Sequence, residues 1–137
     1  MKRYLLDTPP LAALLRSRPA LVTLITPWID RHEVATSILV YGEVLEYLRS
    51  LSDYSRRQLE LRRFLREVYP YSLTYSILER YADIRRQLRP PHGSGLIGDI
   101  DTLIAATAMQ RNLTLVTTDT DFQRVPGLKL MLLPRKS

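Results

Sequence analysis

Short apolar runs alternate with helix-length stretches along this chain, and that alternation constrains its fold more than any other feature. "RYLL" at 3–6, "EVATS" at 33–37, "PYSL" at 70–73, "LTLVT" at 113–117 and "LKLML" at 128–132 read as five strands. Between them, apolar residues recur at helical spacing. "PPLAALLRSR" opens with prolines that suit a first helical turn. "ALVTLITPWI" is compatible with helix or strand, the helix being favoured. Ile38, Tyr41, Leu45 and Leu48 define a helix over 37–50. "SRRQ" at 55–58 fits a capping box opening a helix to about Tyr69, with Leu61, Phe64, Leu65 and Val68 on one side and a run of arginines on the other. Ile77, Tyr81, Ile84 and Leu88 form the stripe of a further helix, stopped by Pro90 and Pro91. A last helix runs from about Asp99 to Arg111, with Ile100, Leu103, Ile104, Thr107 and Ala108 inward.

Strands joined through helices require right-handed crossovers, which generate a parallel sheet covered on both faces. The expected fold is α/β and three-layered: a mostly parallel central sheet of about five strands flanked by helices. With 137 residues, 45% of them hydrophobic, the chain is expected to bury one core as a single domain over 1–137. It has no cysteine, which excludes disulfides, thiolate metal sites and a cysteine nucleophile, and fits a reducing cytoplasm. No apolar run has the length of a membrane span or of a signal-peptide core, so a soluble cytoplasmic protein with no membrane partner is expected.

In a sheet of this kind, ligands sit beyond the carboxyl ends of the strands. Asp7 follows the first strand, and Asp119 and Asp121 follow the fourth. Asp99 and Asp101 lie in the first turn of the helix that enters the fourth strand, and that helix starts at the same end of the sheet. Glu43 falls in the second turn of the helix after the second strand, close to the same rim. Its neighbour Gly42 weakens the helix, which is expected where another backbone passes close.

Each acid also has a local explanation. Asp99 suits an N-cap, Asp101 suits the positive end of a helix dipole, and Asp7, Asp119 and Asp121 suit turns. Taken together the local explanations fail, because like charges at one rim raise each other's pKa and destabilise the fold unless a cation neutralises them. An all-oxygen set without His or Cys selects a hard cation, Mg2+ or Mn2+. Such an ion activates water and stabilises charge on a phosphoryl oxygen.

The net charge is +6; setting the six acids aside leaves 20 basic residues against 8 acidic, or +12 for the remainder. Seventeen of the twenty are arginine, whose planar fork suits phosphate, although genome composition accounts for such a bias equally well. An acidic, metal-filled pit in a basic surface points to hydrolysis of nucleic acid.

Four blocks carry a resemblance: "YLLDT" at the start, "TSILVYGEVLEYL" at 36–48, "GDIDTLIAATA" at 98–108 and "LTLVTTDTDF" at 113–122. In order and spacing they resemble the PIN-domain family, particularly the VapC-type toxins of bacterial toxin-antitoxin pairs. The resemblance implies an Mg2+- or Mn2+-dependent endoribonuclease toxin of a type II system, acting on RNA, inhibited by a cognate antitoxin, and forming a homodimer or a larger toxin-antitoxin assembly. It places the catalytic, metal-holding acids at Asp7, Glu43, Asp101 and Asp119, with Asp99 and Asp121 as supporting ligands and Thr8 and Thr117 as hydroxyls beside the metal. Pro9 departs from the pattern: the family usually has asparagine or serine there, and proline offers neither a side-chain hydrogen bond nor an N–H to orient Asp7.

Pro9 therefore sustains an alternative, a catalytically weakened PIN-like domain that binds RNA or a protein partner without cleaving it. A phosphoryl-transfer domain of receiver or haloacid-phosphatase type also gathers acids at strand ends, but the first strand ends in "DTP" and lysine is scarce. "GSGLIG" at 93–98 matches a dinucleotide-binding fingerprint in spelling only: it follows a helix rather than a strand, and Asp99 and Asp101 would repel a pyrophosphate. It reads as a mobile loop beside the site. His32 and His92 read as surface residues.

Overall fold

The computed structural model of the chain describes residues 1–135; the last two residues of the expected domain lie outside the described residues. Five strands, β1 (Tyr4–Leu6), β2 (Val34–Ser37), β3 (Tyr69–Tyr71), β4 (Thr114–Thr117) and β5 (Leu130–Leu132), form one sheet in the order β3-β2-β1-β4-β5. Every pairing is parallel. Among the described residues, six helices flank the sheet: α1 (Thr8–Leu15), α2 (Pro19–Asp30), α3 (Ile38–Leu48), α4 (Tyr54–Phe64), α5 (Tyr75–Leu88) and α6 (Asp99–Gln110). Covered on both faces, the central strands are continuously apolar: Leu5, Leu6, Leu115 and Val116 are all buried. Among the described residues, no helix is long and apolar enough to cross a membrane.

"ALVTLITPWI", whose pattern suits either element, is helical as part of α2, anchored by stacking of Trp28 on Tyr4 of β1 at 3.8 Å between ring centroids. Several expectations are corrected. Helix α4 is capped at Asp53 rather than by a box at Ser55, and it ends at Phe64 rather than near Tyr69. Val68 keeps the apolar phase of the helix, yet its N–H already bonds Phe64 O in the turn that carries the chain into β3. That strand pairs Tyr69 with Ala35, so it begins one residue before "PYSL". On α3 the buried face is Val40, Val44 and Leu48, leaving Ile38 exposed; on α6, Ile100 is exposed while Ala105 and Ala106 join the core. The first turn of α6 is capped by Gly98, not Asp99, and Thr102 Oγ1 donates to Gly98 O.

From β1 the chain moves outward one way through β2 and β3, and on the other side through β4 and β5. The crevice of such a sheet opens where the order reverses, between the carboxyl ends of β1 and β4. Asp7 is the first residue after β1, and Asp119 follows the end of β4 by two residues.

Candidate metal centre

Asp7 stands at the N-cap position of α1, with only 4% of its surface exposed. Thr117, the last residue of β4 and fully buried, donates its Oγ1 to Asp7 Oδ2 at 2.7 Å. Burial pushes the Asp7 carboxyl above its ordinary pKa; the Thr117 hydroxyl and the Thr8 amide oppose the rise, and Glu43 and Asp119 add to it. Thr8 donates Oγ1 to Glu43 Oε1 at 2.5 Å, tying the first turn of α1 to the second turn of α3. Pro9 therefore does not leave Asp7 without a side-chain partner: the hydroxyl that orients the carboxylate comes from β4, across the sheet.

Gly42, beside Glu43, has no close backbone neighbour, contrary to the sequence expectation. A Cβ built there meets nothing within 4 Å, so the glycine leaves open space next to the acid.

Asp119 starts a 3-10 turn (Thr120–Arg124), its Oδ1 accepting from Asp121 N at 2.9 Å. Thr117 Oγ1 serves twice, accepting from Asp119 N at 3.1 Å while donating to Asp7. Asp101, in the first turn of α6, is half-buried. Desolvation, followed by Asp7, Asp119, Glu43 and Asp121, pushes its pKa up to about 6. Four segments thus bring carboxylates within electrostatic reach of one another. Among the described residues, none of Asp7, Glu43, Asp101 and Asp119 forms an ion pair.

Asp99 and Asp121 are held differently. Asp99 Oδ1 accepts from Arg85 Nη1 at 2.6 Å and from Tyr81 OH at 3.2 Å, and its side chain is 70% exposed. Asp121 Oδ1 accepts from Arg124 Nη2 at 2.9 Å, while Arg124 Nη1 reaches Gly95 O and Leu96 O at 3.3 and 3.4 Å. The loop before α6 is therefore tied to the turn after β4. Sequence reasoning did not pair Arg85, Tyr81 or Arg124 with these acids, because an arginine inside "IRRQLR" or "DFQR" carries no signal of which acid it meets. His32 and His92 are exposed, away from any such pairing.

The donor set has the chemistry of a hard-cation site: carboxylates only, with, among the described residues, no cationic side chain paired with the four. Among the described residues, no group of three or more His, Asp or Glu side chains is gathered tightly enough to hold a metal ion as the side chains stand. The site is therefore four mutually repelling acids on one rim, and not a closed cage.

A family model described as PIN domain matches residues 4–128. No curated protein is significantly similar in sequence. Among solved structures, the chain is similar to VapBC2 from Rickettsia felis bound to a promoter DNA fragment, at 23% identity and a TM-score of 0.83, covering 95% of this chain and 98% of that one. It is similar also to DNA-bound VapBC from Salmonella typhimurium, at 19% identity and 0.84, covering 96% and 98%. A third is VapBC-5 from Mycobacterium tuberculosis, a member of the VapBC family of toxin-antitoxin systems, at 19% and 0.68, covering 98% and 99%. At these identities the likeness is one of fold.

Proposed function

We propose, from the premise that this chain belongs to the PIN-domain family, that it is a divalent-cation-dependent endoribonuclease and the toxin of a toxin-antitoxin pair. One observation carries the reading: four carboxylates from four segments gather at the topological switch point with, among the described residues, no cationic side chain paired to them, and burial together with the neighbouring acids pushes Asp101 up to about 6. Asp7, Glu43, Asp101 and Asp119 would hold Mg2+ or Mn2+. When bound, the ion supplies a more acidic water and charge stabilisation at a phosphoryl oxygen.

The chain's own residues set up that site. Thr117 and Thr8 fix the rotamers of Asp7 and Glu43, so two acids are presented without searching. Asp119, bonded along its own turn, keeps one oxygen uncommitted by the local hydrogen bonds. Asp99 and Asp121, paired with arginines, shape the outer rim and hold Arg85 and Arg124 close to where a phosphodiester enters.

The antitoxin is assigned to a cavity of about 610 Å3 between α1, α3 and α4. Leu15, Val44, Leu48 and Leu61 give it an apolar floor, with Arg16, Arg57 and Glu60 at its edge, which suits an amphipathic segment.

Incubation of the purified chain with total RNA and Mn2+ tests the nuclease. Cleavage that stops on chelation and in Asp119→Asn is the expected result. The open spacing of the acids favours one second reading, an RNA-binding domain that does not cut; RNA retention with no cleavage in Mn2+ would establish it instead.

A further inference from the structure

A second, smaller cavity of about 180 Å3 lies between α1, the start of α2 and the segments that follow β4 and β5, sharing only Arg16 with the larger cavity. Pro9, Pro10 and Thr118 line it together with Arg16, Arg18 and Arg135, and the remaining walls are aliphatic or proline. Pro9 stands two residues after Asp7, and Thr118 directly precedes Asp119, so the cavity shares backbone with two of the four acids.

We infer that this cavity is a phosphate subsite for the backbone of single-stranded RNA, positioning the chain whose neighbouring phosphodiester enters the acidic rim. The inference rests on the nuclease reading for the cleavage step and on the cavity alone for the binding.

Three observations carry it. First, among the described residues no carboxylate lines the cavity and none of its three arginines is in an ion pair. The arginines at the start of α4 differ in kind, Arg56 and Arg57 being committed to Asp53 and Glu60. Second, the turn between α1 and α2 is fixed. Ser17 adopts a left-handed φ of 55°, and Ser17 N and Arg18 N bond Leu14 O and Ala13 O, both at 3.0 Å. Arg16 and Arg18 are therefore held on either side of one rigid residue, and less ordering entropy is lost when an anion arrives.

Third, the prolines offer no N–H, so the donors for an occupant are the guanidinium forks and the Thr118 hydroxyl, a set that matches phosphate oxygens. Pockets that enclose drug-sized ligands run to about 300–1,000 Å3, so this one admits a phosphate and its sugar edge but not a folded peptide segment.

The test uses the whole chain and a fluorescein-labelled single-stranded RNA of mixed sequence. Anisotropy is read in an Asp101→Asn background, so that the probe stays intact. The double variant Arg18→Gln, Arg135→Gln should bind about tenfold more weakly, and the slope of log K against log salt should become shallower by about 0.7 for each phosphate no longer neutralised. Arg18→Lys should restore most of that slope, since the point charge is kept. In the cleaving background, the double variant should raise KM more than it lowers kcat. Both arginines are exposed, and an unchanged melting temperature serves as the folding control.

Unchanged affinity and slope in the double variant would remove the subsite and leave the nuclease reading standing, provided the unaltered chain cuts RNA. Loss of poly-glutamate binding with RNA affinity intact would likewise overturn it, in favour of a protein ligand. Should the unaltered chain cut nothing in Mn2+ while the affinity loss persists, the nuclease reading falls and the subsite stays.

Discussion

At the start of α4, Asp53 sits 2.6 Å from Arg56 and 3.3 Å from Arg57, and the arginines hold its carboxyl below the usual range. At the carboxyl ends of β1 and β4, Asp7 and Asp101 are pushed the other way, by burial and by the acids around them. Seventeen arginines are available to this chain, and none is paired, among the described residues, with the four acids of the rim. The two regions contain the same residue types. What separates them is that the start of α4 balances its charge locally, Asp53 and Glu60 against Arg56 and Arg57, while the sheet end leaves a deficit that only something from outside fills. A protein under selection for stability alone has no reason to keep that deficit, so it marks the working surface.

Removing a charge from each region breaks the comparison most directly. Asp101→Asn should lower RNA cleavage by more than about 100-fold, beyond the loss typical of groups one contact away from a metal. It should also raise the melting temperature of the metal-free protein, because one of the repelling charges is gone. Asp53→Asn should leave cleavage unchanged and lower the melting temperature slightly. Equal cleavage losses in the two variants would mean that the rim is not special.

The next effect is smaller and concerns orientation. Thr117→Val removes the hydroxyl that joins Asp7 Oδ2 to the amide of Asp119. A loss of about 10–100-fold in Mn2+ affinity, read by calorimetry, is expected. Thr107→Val, at an equally buried threonine whose hydroxyl only returns to Leu103 O within α6, should leave affinity unchanged.

Acidity separates the regions with opposite signs. Asp101 has a folded pKa of about 6 against an ordinary 3.8, so between those values the folded chain binds more protons than the unfolded one. Its contribution to stability is therefore present at the acid end and is lost as pH rises through about 6. Asp53, with a lowered folded pKa, contributes in the other direction, above its ordinary value of 3.8, and loses that contribution as pH falls. Thermal melts of the metal-free protein should show stability declining on the way up through the Asp101 window. Saturating Mn2+ should flatten that decline, since a bound cation favours the ionised acids; melts that stay parallel with and without Mn2+ would remove the cation from the account.

How much of this was readable from sequence depends on the range of the interaction involved. The strands around Leu5 and Leu115 are apolar runs ended by acids, and the rule that ligands gather at carboxyl ends converted Asp7 and Asp119 into neighbours before any fold was known. The pairing of Thr8 with Glu43, separated by 35 residues, was legible only through the family pattern, which places both near the metal. The end of α4 was not legible, because Val68 is apolar in the helical phase and is buried for a different reason, as the last residue before a sheet edge. Nor were Arg85 and Arg124, whose partners depend on how α5 and the turn after β4 lie against the loop at 93–98.

The smallest expected effect sharpens the comparison at the level of backbone. Gly42 lies inside α3, next to Glu43, where alanine would favour the helix by about 1 kcal/mol. Close packing gives no reason for glycine there, since a Cβ meets nothing within 4 Å; at Gly93, by contrast, a Cβ would fall 2.1 Å from Gln87 O. Gly93 is therefore required by the fold, whereas nothing in the packing requires a glycine at position 42. Gly42→Ala should raise the stability of the chain by about 1 kcal/mol in denaturant unfolding and, if RNA passes over α3 at this point, raise KM for cleavage. Stabilisation with KM unchanged would show the space to be idle, and would confine the deficit at the sheet end to its charges.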